Sequence, residues 1–166
     1  MLIGDPSKFA IAWNIVKEWS TPTFNNGTLN IYVNFTLLGN RRNIVHEVGS
    51  NLFELSQLAS RHEMQQVVEE NILAKSDAEI FSFLNRYTFP TDDDGLPQGR
   101  EFLAVPFGVY DDGYVMFCIK SGDVDQLYYG ADDNFMGAIS LPKNQYGSIV
   151  RDAWSVFQNE KLGVQD

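Results

Sequence analysis

Carboxylates dominate the chemistry that this sequence offers. Three run together in "TDDDG" (Asp92, Asp93, Asp94), and pairs follow in "YDDGY" (Asp111, Asp112) and "GADDN" (Asp132, Asp133), with Asp123 and Asp125 between them. Grouped carboxylates can ligate calcium, divide acid and base roles, or present a negative surface. An EF-hand loop needs ligands at alternate positions, glycine at the sixth and glutamate at the twelfth. "TDDDGLPQGREF" sets its aspartates consecutively and its glycine too early, and "GDVDQLYYGADD" is interrupted by Gln126 and Leu127. A looser calcium-dependent binding module stays open as an alternative. A carboxylate hydrolase needs one acid of raised pKa facing a second at a fixed separation. Turn-tip aspartates such as Asp111 and Asp112 are solvated, which makes this the weaker alternative.

Other reactive types are few. His46 in "NIVHEVG" and His62 in "SRHEM" lack a metal-ligand spacing such as H-E-x-x-H, and read as partly exposed structural histidines. Cys118 is the single cysteine and has apolar neighbours and nearby aspartates. An activated thiol needs an electropositive, accessible setting, so Cys118 reads as packing. No G-x-S-x-G elbow, Walker loop or G-x-G-x-x-G fingerprint occurs. The expectation is a non-enzyme with no catalytic residue, no metal and no cofactor.

Charge distribution says more. The chain of 166 residues carries a net charge of −10. Residues 90–140 hold ten acids against Arg100 and Lys120, so −8 of that total falls in under a third of the chain. Such a balance repels phosphate backbones and favours a basic protein partner over nucleic acid. Asp and Gly also make good turns, but turn chemistry does not explain the scarcity of compensating Lys and Arg. Tyr110, Tyr114, Tyr128 and Tyr129 lie among the acids, and tyrosine is a favoured interface anchor. The predicted contact face is Asp92, Asp93, Asp94, Tyr110, Asp111, Asp112, Asp123, Asp125, Tyr128, Tyr129, Asp132 and Asp133. In an alternative, the partner sits on a sheet surface or on the helix 50–61 side, and the aspartates only steer.

A sheet must hold these loops. Phe9 to Trp19 has apolar residues at period two, predicting a strand, although Asp5-Pro6 also has the form of a helix start. "NNGTLNIYVNF" opens with an Asn-Gly turn signal and alternates into a second strand, antiparallel to the first. Leu52, Leu55, Leu58 and Ala59 make a helical stripe that Ser50 could cap, and "EMQQVVEENILAK" reads as a second, surface helix. Ser76 and Glu79 form a capping box for a helix that should stop before Pro90. Phe102 to Lys120 reads as a hairpin about Asp112-Gly113, with Val109 opposite Met116 and Pro106 on an edge strand. "DQLYYG" and "FMGAIS" add short strands, and Pro142 opens a last helix carrying Tyr146, Ile149, Val150, Ala153, Trp154 and Phe157. The sum is one α+β domain over 1–166, mainly antiparallel sheet with helices packed on one face and an unstructured tail at 161–166. No apolar run is long enough to span a membrane. The N-terminus lacks signal-peptide form, so a cytoplasmic address is expected.

Ile3-Gly4-Asp5-Pro6, Phe9-Ala10-Ile11, Glu18-Trp19-Ser20 and Gly27 ahead of a strand resemble the opening of the immunity 42 family. Those are bacterial proteins encoded beside polymorphic toxins, including toxins of contact-dependent growth inhibition systems. The resemblance covers about the first forty residues and implies an antidote that binds the toxic domain of a cognate effector and blocks its active site. Such domains are frequently nucleases with basic clefts, an RNase ahead of a DNase here. No catalytic residue transfers, because none is expected of the family.

Overall fold

The computed structural model describes residues 1–21, 23–39, 46–64, 70–90 and 99–162. The chain forms an N-terminal sheet, a helical middle, a C-terminal sheet and a closing helix. The first sheet contains β1 (Leu2–Asp5), β2 (Phe9–Ile15), β3 (Asn26–Val33) and β4 (Thr36–Leu38) in that order, with β5 (His46–Glu47) pairing to the start of β3. All pairings are antiparallel, as expected for the first two long strands, and Ile11 lies opposite Ile31. Phe9, Ile11 and Trp13 of β2 and Leu29, Ile31 and Val33 of β3 point into the core. Asp5-Pro6 starts no helix: Asp5 ends β1, and its Oδ1 accepts hydrogen bonds from the Ser7 amide and hydroxyl in the turn to β2. Nor do Asn26-Gly27 form a turn. Gly27 pairs with Ile15 inside the sheet, where a Cβ would overlap the Asn14 carbonyl oxygen.

Helix α1 (Val48–Glu63) buries the predicted stripe of Leu52, Leu55, Leu58 and Ala59. Its cap is Glu47 rather than Ser50. The Glu47 carboxylate accepts from the Ser50 amide and, at 3.1 Å, from the Asn25 amide, which ties the helix start to the loop before β3. Of the expected second helix, the described part is one turn, α2 (Glu70–Leu73). Helix α3 (Asp77–Thr88) has the predicted Ser76–Glu79 capping box and ends before Pro90.

The predicted hairpin about Asp112-Gly113 is not formed. Residues Phe107–Asp111 make a short helix, α4. Pro106 is its N-cap, and its carbonyl accepts from the Val109 and Tyr110 amides at 3.0 and 3.1 Å. Proline lacks an N–H that a strand would need, and loses nothing at a helix start. An antiparallel contact with the next strand survives at a different register, as a single bridge between Leu103 and Phe117.

The second sheet is the meander β6 (Tyr114–Ser121), β7 (Val124–Ala131) and β8 (Asn134–Pro142). Helix α5 (Gln145–Leu162) follows and packs on α1 and on β1 and β2. It starts three residues after Pro142, which still belongs to β8. Its helical backbone runs through 162, into the tail expected to be unstructured; 163–166 lie outside the described residues.

The class is α+β, as read from the sequence, with the strands divided between two sheets. Helices cover both faces of the second. Phe81 of α3 sits edge-on to Phe117 at 5.7 Å, whereas the neighbouring residue Cys118, on the opposite face, meets His62 of α1. One cluster of buried apolar side chains runs through both sheets and the helices.

Candidate functional site

One end of the second sheet gathers part of the predicted acidic face. β6 starts just after Gly113, and β7 turns into β8 through Asp132 and Asp133. The two turns lie side by side, with the Asp132 amide donating to the Gly113 carbonyl at 2.9 Å. Ala131 pairs with Asn134, so the turn has two residues. Both are left-handed, at φ 46° for Asp132 and 67° for Asp133. This is the geometry of a type I′ turn, which matches strand twist and favours Asn and Gly. The Asn85 side-chain amide of α3 donates to Asp133 Oδ1 at 2.6 Å.

Ser82, Arg86, Phe89, Tyr110, Asp111, Asp132 and Asp133 are among the side chains lining a cavity of about 730 Å³ at this end. The charged groups of this lining are three carboxylates and one guanidinium. The rings of Phe89 and Tyr110 stack at 4.4 Å and 12°. They also line a smaller cavity of about 220 Å³ with Glu54, Arg100, Leu103 and Phe107. A flat aromatic wall beside exposed carboxylates suits a lysine or arginine, through cation–π contact and charge pairing.

The other described residues of the predicted face are dispersed. Asp112 is half-buried beside Gly39. Asp123 is exposed at the opposite end of the sheet, 3.7 Å from Lys143. The eight-residue strand β7, roughly 23 Å long, lies between it and Asp132. Asp125, Tyr128 and Tyr129 are not surface residues at all, with 0%, 3% and 3% exposure. The reason is that β7 is the central strand of a sheet covered on both faces. Burial, aided by the charge of Asp77, pushes the Tyr128 hydroxyl up to about 12. The contact face is accordingly drawn without these three. Asp92, Asp93 and Asp94 lie outside the described residues.

Burial also bears on one of the two loops weighed for calcium, that of Asp123 and Asp125. Asp123 is in solvent and Asp125 in the core, so the two carboxylates do not converge on one ion.

Asp125 instead belongs to a polar group inside the molecule. His62 Nε2 is 3.1 Å from Cys118 Sγ and 3.6 Å from Asp125 Oδ1. His62 is 2% exposed and Cys118 1%, which corrects the expectation of a partly exposed histidine. The charge of Asp125 is disfavoured by burial, but the nearby His62 ring and the Asn144 and Tyr146 backbone amides outweigh this and lower its pKa. Burial, and then Asp125 itself, push the Cys118 thiol well up. A protonated buried thiol is no nucleophile.

A feature that the sequence reading missed lies between α1 and α5. Phe24, Phe53 and Trp154 line a groove of about 590 Å³ with Glu47 and Gln158 among others. Phe24 is 54% exposed and Phe53 51%. Phe53 falls off the stripe of Leu52, Leu55, Leu58 and Ala59, and an aromatic on the polar face of a helix was the available signal.

The profile of immunity protein 42 matches residues 1–156. The chain belongs to that family. Its fold is also similar to CdiI from Burkholderia dolosa AUO158, whose crystal structure aligns with a TM-score of 0.77 at 27% identity, over 94% of this chain and 99% of that one. No curated protein matches. This immunity protein neutralises a cognate toxin domain by binding it, and is an inhibitor rather than an enzyme. No helix among its described residues is long and apolar enough to cross a membrane.

Proposed function

We propose that this immunity protein meets its toxin through the acidic cavity at the Gly113 and Asp132-Asp133 end of the second sheet, and that the toxin domain is a basic nuclease, an RNase ahead of a DNase, neutralised in the cytoplasm. The observation that carries the reading is the convergence of Asp111, Asp132 and Asp133 with the Phe89–Tyr110 stack around one cavity. Basic side chains that hold a nucleic-acid phosphate would find carboxylates in its place, so substrate is excluded by occupation and by charge. Exposed charges speed encounter and fix orientation more than they add affinity. The central aromatic pair supplies the desolvated area that holds the complex.

The test is charge reversal. Asp111→Lys with Asp133→Lys is expected to slow association with the cognate toxin domain and to flatten its salt dependence. Unchanged association at low salt in the double variant would remove this face from the interface.

A second reading rests on the exposed Phe24 and Phe53 in the groove between α1 and α5. There the toxin docks on the α1 side and the acidic end only steers it. Phe53→Ser then raises the dissociation rate while leaving the association rate in place, the reverse of the result for Asp111 and Asp133.

A further inference from the structure

We propose that His62, Cys118 and Asp125 form a buried site for a divalent metal ion of the zinc type, clamping α1 to the second sheet. The three residues come from three elements: the last turn of α1, the middle of β6 and the second residue of β7. Cys118 lies opposite Leu127 across the β6–β7 pair. Asp125, two residues before Leu127, is therefore its diagonal neighbour on the same face. Helix α1 brings His62 down onto that pair.

The ligand atoms are spaced for one ion. Nε2, Sγ and a carboxylate oxygen all lie within 4.8 Å of one another, with 3.1 Å from Nε2 to Sγ and 3.6 Å from Nε2 to Oδ1. Tetrahedral zinc, with bonds of about 2.0 to 2.3 Å, sets its ligand atoms roughly 3.3 to 3.6 Å apart. The donor set has the chemistry of that ion class, with one thiolate, one imidazole and one carboxylate. Its charge is also right: a thiolate and a carboxylate together balance a divalent cation, so the loaded site is neutral in the core.

Without an ion the Asp125 carboxylate is poorly served. Thiol and carboxylate both face Nε2, and that nitrogen can donate to Asp125 or accept from Cys118 but not both. Asp125 is 0% exposed, yet its Oδ1 has no hydrogen-bond partner among the described residues. Such an orphaned buried oxygen is costly. Its other oxygen accepts from the Tyr146 amide at 3.2 Å, which fixes the carboxylate with Oδ1 turned toward His62. A cation among the three satisfies every lone pair that now competes for Nε2.

The experiment uses the whole chain, stripped with chelator and titrated with cobalt(II). Cys118 is the only cysteine, so a thiolate-to-cobalt charge-transfer band in the near ultraviolet reports this site alone. The expected result is a band that saturates at one equivalent and is bleached by zinc. Zinc at 100-fold over its Kd should also raise Tm by about 5 to 10 °C. Asp125→Asn should weaken cobalt binding at least about tenfold while leaving the band attainable at higher cobalt. Cys118→Ser should abolish the band; should either variant fail to fold, the wild-type titration decides by itself. No band, or cobalt bound without one, would overturn the proposal.

Discussion

Replacing Asp132 by Asn and Asp133 by Gly separates a turn-forming role from a toxin-binding one. Both residues are left-handed, at φ 46° and 67°, and Asn-Gly is the favoured pair for such a turn. A left-handed L-residue costs roughly 1–2 kcal/mol, less for Asp than for most, so glycine at 133 recovers about 1 kcal/mol. Against this stand the added chain entropy of glycine in the unfolded state, about 0.5–1 kcal/mol, and the exposed Asn85–Asp133 hydrogen bond. The sum leaves folding stability within about 1 kcal/mol of the parent, or a Tm within about 4 °C for a chain of this size. Binding should respond differently. Two exposed carboxylates at a basic interface contribute about 0.2–1 kcal/mol each, so the toxin domain should bind up to about 30-fold more weakly at 0.15 M salt. The deficit should shrink at 1 M salt, where the Debye length falls from about 8 to 3 Å. Thermal unfolding followed by circular dichroism and titration calorimetry with the toxin domain measure the two effects. Affinity within about twofold of the parent, with Tm preserved, would refute the contact role. A Tm lower by about 8 °C or more would show that the aspartates themselves hold the turn.

Other expectations follow from single contacts. Glu47→Ala should cost about 1 kcal/mol, the usual value of a helix N-cap, read as a lower midpoint in urea. Burial opposes the charge of Glu47, but hydrogen bonds from Ser50, Asn25 and Gly49 hold its pKa below the ordinary 4.5. That contribution is fully present above pH 4.5 and is lost as pH falls through the folded-state value; in Glu47→Gln the acid limb of a stability–pH curve should be shallower. Phe81→Ala should destabilise by about 3–5 kcal/mol, because this ring meets both Phe117 and Phe135 at 5.7 Å. Gly27→Ala forces β2 and β3 apart at Asn14 and should cost about 2 kcal/mol, visible as faster amide exchange across that pair. Charge reversal at Asp92, Asp93 and Asp94 should weaken toxin binding and flatten its salt dependence.

Local chemistry was readable wherever a residue's neighbours in sequence are also its neighbours in space. The alternation of Leu29, Ile31 and Val33 allowed only a one-sided strand, and Ser76 with Glu79 a helix start, because both patterns act over a few residues. The charge excess of residues 90–140 and the family likeness of the first forty residues were likewise properties of the chain itself. Residues 102–113 were misread because alternating apolar positions fit a strand as well as a short helix, and the choice fell to packing of Val109 and Pro106 into the core.

Exposure was decided at longer range. Asp123 and Asp125 are two residues apart in one acidic stretch, yet one is solvated and the other sealed against His62, a residue 63 positions away. Tyr110 reached the acidic cavity whereas Tyr128 and Tyr129 went into the core. Composition determined how much negative charge this immunity protein carries. Only the packing of the two sheets and their helices determined which of that charge stays in solvent, because desolvation depends on what lies across the core and not on what lies next in the chain.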